Sequence, residues 1–434
     1  MPFFSFIVPV YNVRWFLPAC VESVTSQAFG DVEVILVDDV SSDGSAELCD
    51  QLAVQDARIR VLHLAHNSGP GLARNAGMKV ATGQYLFCLD SDDLIAEGAM
   101  TRLHAAILRQ GHPDMVHVRH DEFFGLRPSP SAGGDPGAAG ASSVEDFLRP
   151  TLSSPRVGFQ VWQFALRRAW VQDAGVAFRE ARICEDNDFM LRLLAQAQSV
   201  GTDGGVFYHW RMRLSGSLTS AHAKGWNHIV ASAAGMLDFL CAQALPELLR
   251  RWAILNVHSI VLQFEDVAAA VRAEDLDQHP GLFDPFERHL DVLAPHLHEH
   301  GLLWHIRAFG ARPGAQRFCA WKAEELQALM RPAGNRELYG FPATRRCSRL
   351  LDTLAANGYA FKGLLDNSTD KQGLVLDGRP ILKPDILPLC HGEGGAFVVI
   401  STFRRGTALV LAEQLRGYGL EEGRDFVYGE FESD

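Results

Sequence analysis

Three carboxylates close the stretch LFCLDSDDLI at residues 86–95, where Asp90, Asp92 and Asp93 follow an apolar run that reads as a buried strand. A second acidic pair, Asp38 and Asp39, follows the same kind of run, VEVILV at 32–37. Ligands of an open parallel sheet gather beyond the carboxyl ends of its strands. Two acidic strand ends on one edge must offset their mutual repulsion with a cation or with donors from a substrate. Hard divalent ions such as Mg2+ or Mn2+ take oxygen ligands and bridge one or two carboxylates to a substrate's phosphates. Asp90 and Asp92 therefore frame a candidate metal and diphosphate site. A D-x-D-D run also caps helices and forms Asx-turns, so the four residues alone leave both readings open.

A third acidic element is CEDNDFMLRLL at 184–194. Phe189 with Leu193, and Met190 with Leu194, recur at helical spacing, which puts Glu185 and Asp186 at or just before a helix's first turn. The positive end of the helix dipole keeps a carboxylate ionised there. Such a group can take a proton from a hydroxyl, or it can simply stabilise its helix.

The elements that must position these residues alternate. Runs at 3–10, 32–37, 59–64 and 85–89 are short, apolar and rich in β-branched or aromatic residues, as in strands covered on both faces. Helical patterns fall between them at 16–28, 45–56 and 71–81, with Ser42, Asp43 or Ser45 as candidate N-caps of the second. Strict alternation predicts an α/β sheet with right-handed crossovers. Residues 127–143, RPSPSAGGDPGAAGASS, hold almost nothing that can pack and read as a mobile insertion within one domain.

From 221 to 332 the pattern is helical, and from 333 to 434 it returns to α/β. In that last segment ELYGF, FKGLLDN and AFVVIST read as strands, with RCSRLLDTLAANG as a helix ending on Gly358. Its first loop, G-F-P-A-T-R from Gly340, lacks the G-x-G-x-x-G that lets a backbone approach pyrophosphate. Asp366 stands where a ribose-binding acid would, but the broken glycine pattern favours a structural, oligomerising or acceptor-docking module.

Composition narrows the function. At 434 residues, 47% hydrophobic and 21% charged, the chain affords two or three globular domains. A formal net charge of -12 leaves no basic field for nucleic acid. No stretch reaches the ~18 apolar residues of a membrane span, and MPFFSFIVPVYN lacks the basic start and cleavage site of a signal peptide. Eight scattered cysteines form no C-x-x-C pair and read as reduced residues of a cytoplasmic protein.

In order along the chain, FIVPVYN, VILVDDVSSDGS, NSGPGLARNAG, GQYLFCLDSDD, ICEDNDFMLRLL and YHWRMRLSGSLTS resemble the motifs of family 2 glycosyltransferases of the GT-A fold. The resemblance covers residues 3 to about 220 and implies a catalytic domain over 1–220. By it, Pro9 and Tyr11 wall the nucleotide base, Asp39 accepts hydrogen bonds from base or ribose, and Asn67 and Arg74 face the nucleotide and its phosphates. Asp90, with Ser91 beside it, lies against the ribose and donor sugar. Asp92 binds Mn2+ or Mg2+, with His209 completing the shell. Asp186 is the catalytic base, Glu185 orients it or the acceptor, and Arg211, on a flap, neutralises the leaving diphosphate. Trp162 and Trp210 can stack on acceptor sugars.

One departure stands out: the glycine usual after the two aspartates is Val40, a β-branched residue that a positive φ would strain.

The expected protein is an inverting, metal-dependent enzyme. It moves a sugar from a nucleotide-sugar donor, UDP by preference, to a saccharide or glycoconjugate acceptor in surface polysaccharide synthesis. Attachment to the inner face of the membrane and homo-oligomerisation through the C-terminal regions stay open. A sugar nucleotidyltransferase is the first rival, although VPVYNVRWF supplies no glycine-rich triphosphate loop. A non-catalytic binding or scaffold protein is the second.

Overall fold

The computed structural model describes residues 1–123, 140–152, 159–180, 183–211, 225–298, 300–369, 371–376, 378–390, 395–401 and 405–428. The chain divides into two compact units. One comprises Met1–Met212 with Gly235–Val257, and the other Arg213–Ala234 with His258–Asp434. Residues 127–139 of the expected insertion lie outside the described residues.

The first unit is built on strands β1 (Phe4–Val10), β2 (Val32–Asp38), β3 (Ile59–His63), β4 (Tyr85–Cys88), β5 (Leu94–Ile95), β6 (Met115–Phe123), β7 (Phe164–Arg167) and β8 (Val200–Arg211). They form one sheet in the order β3-β2-β1-β4-β7-β6-β8-β5. Its β3-β2-β1-β4 half is parallel, as the apolar runs predict. The other half is mixed: β7 runs antiparallel to both neighbours, β6 and β8 are parallel, and β5 is antiparallel to β8.

Helices α1 (Leu17–Thr25), α2 (Ser45–Gln55), α3 (Pro70–Val80), α4 (Ala99–Arg109), α5 (Val144–Thr151), α6 (Arg168–Ala174) and α7 (Glu185–Leu194) accompany the sheet. None of the three expected N-caps serves α2. The cap is Gly44 at φ 87°, a left-handed turn that glycine enters without a Cβ clash, and Asp43 instead accepts a hydrogen bond from the Ser45 N–H at 3.0 Å. Phe4, Phe6, Val8 and Val10 alternate into a core with Val34, Leu36 and Phe87. Ile7 and Val37 belong to the opposite face, under α3. A Cβ on Gly77 would lie 2.5 Å from Ile7 Cγ2, so glycine is what lets α3 lie so close to the sheet. One turn earlier on the same face stands Arg74.

The second unit contains α10 (Ala273–Asp277), α11 (Asp284–Arg288), α12 (Leu290–Leu293), α13 (Leu302–Phe309) and α14 (Ala311–Met330), preceded in the chain by α8 (Trp226–Ala242) and α9 (Glu247–Glu265). Then come β9 (Glu337–Phe341), α15 (Arg345–Ala356), β10 (Phe361–Leu365), β11 (Val375–Leu376), β12 (Arg379–Leu382), β13 (Ala396–Ile400), α16 (Arg405–Gly417) and β14 (Phe426–Tyr428). The sheet order is β11-β12-β10-β9-β13-β14, with β11 alone antiparallel. Its five parallel strands follow the order 3-2-1-4-5 of a doubly wound sheet.

The surviving loop glycine, Gly340, serves packing there. A Cβ would meet Cys347 Sγ at 2.7 Å and Leu351 Cδ1 at 2.8 Å, both on α15. Asp366 is buried and spends its oxygens within the unit. It accepts from the Ala343 N–H at 3.1 Å, the Ser368 N–H at 2.9 Å and Lys371 Nζ at 3.1 Å.

Candidate active site

Three loops meet at the carboxyl edge of the first unit's sheet. After β1, the Asn12 N–H donates to Ser41 Oγ at 3.2 Å, and Asn12 Oδ1 accepts from the Ser42 N–H at 2.8 Å. The Val13 N–H donates to Ser45 Oγ at 3.0 Å. These bonds lace the Tyr11 loop to the Asp38–Ser45 loop. Tyr11 is half exposed beside them and Pro9 partly buried, so an aromatic face is open at this edge. Val40 adopts φ 63° with its side chain 45% exposed, so the left-handed turn is kept without the glycine that favours it.

Asp39 is buried, and both of its oxygens are engaged. Oδ1 accepts from the Ser68 N–H at 2.6 Å and Oδ2 from the Gly69 N–H at 2.8 Å, while Asn67 Nδ2 donates to the Asp39 carbonyl at 3.0 Å. Asp39 and Asn67 therefore meet at this edge. Their bonds fasten the start of α3, where Gly69 at φ 86° is the N-cap.

Arg74 is 4% exposed. Its Nη1 donates to Glu185 Oε1 at 2.9 Å and to Asp186 Oδ1 at 3.2 Å, and its Nη2 to Asp90 Oδ1 at 2.8 Å. One guanidinium thus gathers carboxylates from the end of β4 and from the first turn of α7. Gly71, a turn before it, packs under Glu185, whose Cγ would lie 3.3 Å from a Cβ there. The other oxygen of Asp186 accepts from the Val161 N–H at 3.3 Å.

Burial is the largest influence on both acids of α7. It pushes the Glu185 carboxyl up to about 8, with the Asp186 charge adding to it and Arg74 opposing. Asp186 is raised in the same way, against the pull of Arg74. A carboxylate whose proton affinity is lifted toward neutrality is a better base than a solvated one.

The turn after Asp90 is fixed from β8. The Tyr208 hydroxyl accepts from the Asp90 N–H at 3.2 Å and donates to Asp93 Oδ2 at 2.6 Å, and the Arg211 N–H donates to Asp93 Oδ1 at 2.6 Å. Asp93 is buried, which raises its pKa well above the usual carboxylate range, helped by the charges of Asp92 and Asp90. Ser91 is buried too, and Asp90 and Asp92 are the half-exposed members of the run.

Arg211 is also buried. Its guanidinium lies over the rings of Phe16 at 5.3 Å and Phe123 at 4.5 Å, and its Nε donates to the Asp92 carbonyl. His209 bonds Asp121 through Nδ1, across the register of β8 and β6. Trp162 is buried and stacked on Tyr208 at 4.4 Å, with Trp210 half-buried beside it. Beyond Arg211 the expected flap lies outside the described residues.

Among the described residues, no three or more His, Cys, Asp or Glu side chains are arranged to hold a metal ion. The donor set still fits a hard cation that takes one or two protein ligands, because a diphosphate and water fill its other positions. Asp121 and Tyr208 are the contributors that sequence reasoning missed. Both sit in strands of mixed polar and apolar residues that form no unbroken apolar run, and only the pairing of β5, β6 and β8 brings them to the acidic turn.

Residues 5–172 match the family model of "Glycosyl transferase family 2". The chain carries a family 2 glycosyltransferase domain. Its match to "Glycosyltransferase GlyG" of Streptococcus pneumoniae is 42% identical over 124 residues, 28% of this chain and 41% of that protein. With "Uncharacterized glycosyltransferase EpsJ" of Bacillus subtilis the identity is 33% over 218 residues, 48% of this chain and 61% of that protein. The "Minor teichoic acid biosynthesis protein GgaB" of Bacillus subtilis is 40% identical over 250 residues, 55% of this chain and 26% of that protein. The chain thus spans less than two thirds of each of these relatives' lengths. In fold, the chain resembles S. aureus TarS 1–349, solved in complex with UDP-GlcNAc, with a TM-score of 0.54 and 20% identity over 76% of this chain and 92% of that one.

Proposed function

We propose that the protein is an inverting, metal-dependent glycosyltransferase that moves a sugar from a UDP-linked donor to a hydroxyl of a saccharide or glycoconjugate acceptor, in surface polysaccharide synthesis. The observation that carries this reading is the Arg74 cluster. It sets a half-buried carboxylate of raised proton affinity, Asp186, beside Asp90 at the mouth of β4. Displacement at an anomeric carbon needs a base on the face opposite the leaving group. Asp186 fills that role by taking the acceptor hydroxyl's proton on its carboxylate, with Glu185 next to it.

Tyr11 offers the face on which a base stacks. The laced loops below it, with Asp39 and Asn67, hold the nucleoside, and Asp90 and Ser91 face ribose and donor sugar. Mn2+ or Mg2+, held by Asp92 and His209, would supply electrostatic support to the departing diphosphate. Asp121 fixes the orientation of the His209 ring. Arg211 places positive charge behind the Asp92 backbone.

The UDP-GlcNAc named with TarS and the teichoic acid pathway named for GgaB support this choice of donor and product class. The catalytic domain is assigned to 1–220, a helical region to 221–332 and a Rossmann-like domain to 333–434, the last two offering surfaces for self-association. The assigned compartment is the cytoplasm, at the inner face of the membrane. No helix among the described residues is long and apolar enough to cross it.

The test is Asp186→Asn. With UDP-GlcNAc and Mn2+, the wild type should show a ligand-dependent rise in melting temperature and a slow release of UDP to water. The variant should keep the first and lose the second by at least ~100-fold. Unchanged UDP release by Asp186→Asn would end the proposal.

A further inference from the structure

The sequence pattern points Arg74 at the donor's phosphates, but its surroundings are all carboxylate. Both terminal nitrogens are committed: Nη1 is shared by Glu185 at 2.9 Å and Asp186 at 3.2 Å, and Nη2 is bound to Asp90 at 2.8 Å. The remaining nitrogen, Nε, is buried without a hydrogen-bond partner, and the guanidinium carbon lies 5.5 Å from the Phe178 ring. Leaving a buried N–H bare is unfavourable. The side chain accepts that arrangement to keep its outer edge on the acids.

A phosphate could engage this edge only by displacing carboxylates from a group that is 4% exposed. The three partners come from the turn between β4 and β5 and from the first turn of α7, far apart in sequence, and the Arg74 guanidinium bridges them.

We propose that Arg74 is a positioning residue that sets the separation between the acceptor-side carboxylate Asp186 and the donor-side carboxylate Asp90, and does not bind the donor's phosphates. The inference rests on the transferase reading above. Its chemistry follows from the shape of guanidinium. A planar fork can hold one acid on each terminal nitrogen in fixed geometry, while an ammonium is a point charge that cannot hold both. Reactions that depend on an aligned base lose on the order of 100-fold for a displacement of about 1 Å. Arg74 therefore acts on turnover through Asp186, and its loss leaves nucleotide affinity alone.

The experiment compares wild type with Arg74→Lys, and with the double variant R74M/E185Q, which removes the cation together with one carboxylate in case the single change prevents folding. Each protein is checked by its melting temperature. UDP affinity is then measured calorimetrically in MnCl2, and kcat and KM are measured for UDP release from UDP-GlcNAc with water as acceptor.

The expected result is a UDP Kd within ~3-fold of wild type, a KM moved by no more than that, and kcat lower by ~100-fold in both variants. A UDP Kd weakened 10-fold or more in step with kcat would make Arg74 a phosphate ligand and overturn the inference. Wild-type kcat in Arg74→Lys would overturn it as well, by showing that the fork is unnecessary. A wild type that neither binds UDP nor releases it from the donor would overturn the transferase reading itself, and with it this inference.

Discussion

Replacing Glu185 with glutamine separates the two acids of α7 by charge while leaving the shape of the site intact. Glu185 is 8% exposed, and burial together with the neighbouring Asp186 pushes its carboxyl up to about 8. At pH 7 it is protonated in about nine molecules of ten. In the unfolded chain the same group ionises near 4.5. The folded protein therefore binds more protons between these two values, and stability falls as pH rises through that window.

At pH 7 the gap amounts to roughly 2.5 pH units, or on the order of 3 kcal/mol, growing to about 5 kcal/mol above pH 8 and then levelling off. Glutamine carries no such charge in either state and still accepts from Arg74. Glu185→Gln should therefore melt roughly 6 to 12 °C above wild type at pH 7, with no difference below pH 4.5. Thermal melts by circular dichroism from pH 4 to 9 read this directly. UDP release over the same range should show an alkaline limb near pH 8 in the wild type, as ionised Glu185 competes with Asp186 for Nη1, and no limb in the variant. A variant that melts below wild type by a constant amount at every pH, or one that keeps the limb, would refute the reasoning.

Glu33 gives the opposite sign at the far edge of the sheet. Burial would raise its pKa, but bonds from Ser5 Oγ at 2.6 Å, the Thr82 N–H at 2.6 Å and Thr82 Oγ1 at 2.8 Å bring it below the usual value. Glu33→Gln should cost about 2 kcal/mol at pH 7, and the difference should vanish as pH falls through the folded pKa, below 4.5; urea melts at pH 7 and 3.5 check it. Tyr208→Phe removes the hydroxyl between Asp90 and Asp93 and should cost about 2 kcal/mol in the same urea melts, with a weaker response of melting temperature to Mn2+ plus UDP.

The strand ends were legible because buried parallel strands announce themselves as unbroken apolar runs, and an acid at such an end has few structural reasons to be there. That placed Asp39 and Asp90 at strand ends, and helical spacing placed Asp186 in the first turn of α7. The partners of those acids were not legible. Spacing cannot say that Arg74 reaches Glu185 across more than a hundred residues, because the contact depends on how closely α3 lies on the sheet, which Gly77 decides. The mixed half of the sheet was also missed: β6 and β8 alternate polar and apolar residues over long strands, and the Asp121–His209 pair exists only through their register. Val40 was the reverse case, where a departure from pattern put the left-handed loop in question and the structure keeps that backbone at φ 63°.

Asp39 holds the Ser68 and Gly69 amides at the root of α3, and Arg74 stands one turn further along the same helix. On the proposed function, the loop beside the nucleobase and the side chain that gathers the acids share this one helix, so a change of donor preference acquired in residues 38–45 would bring a change of reaction rate with it.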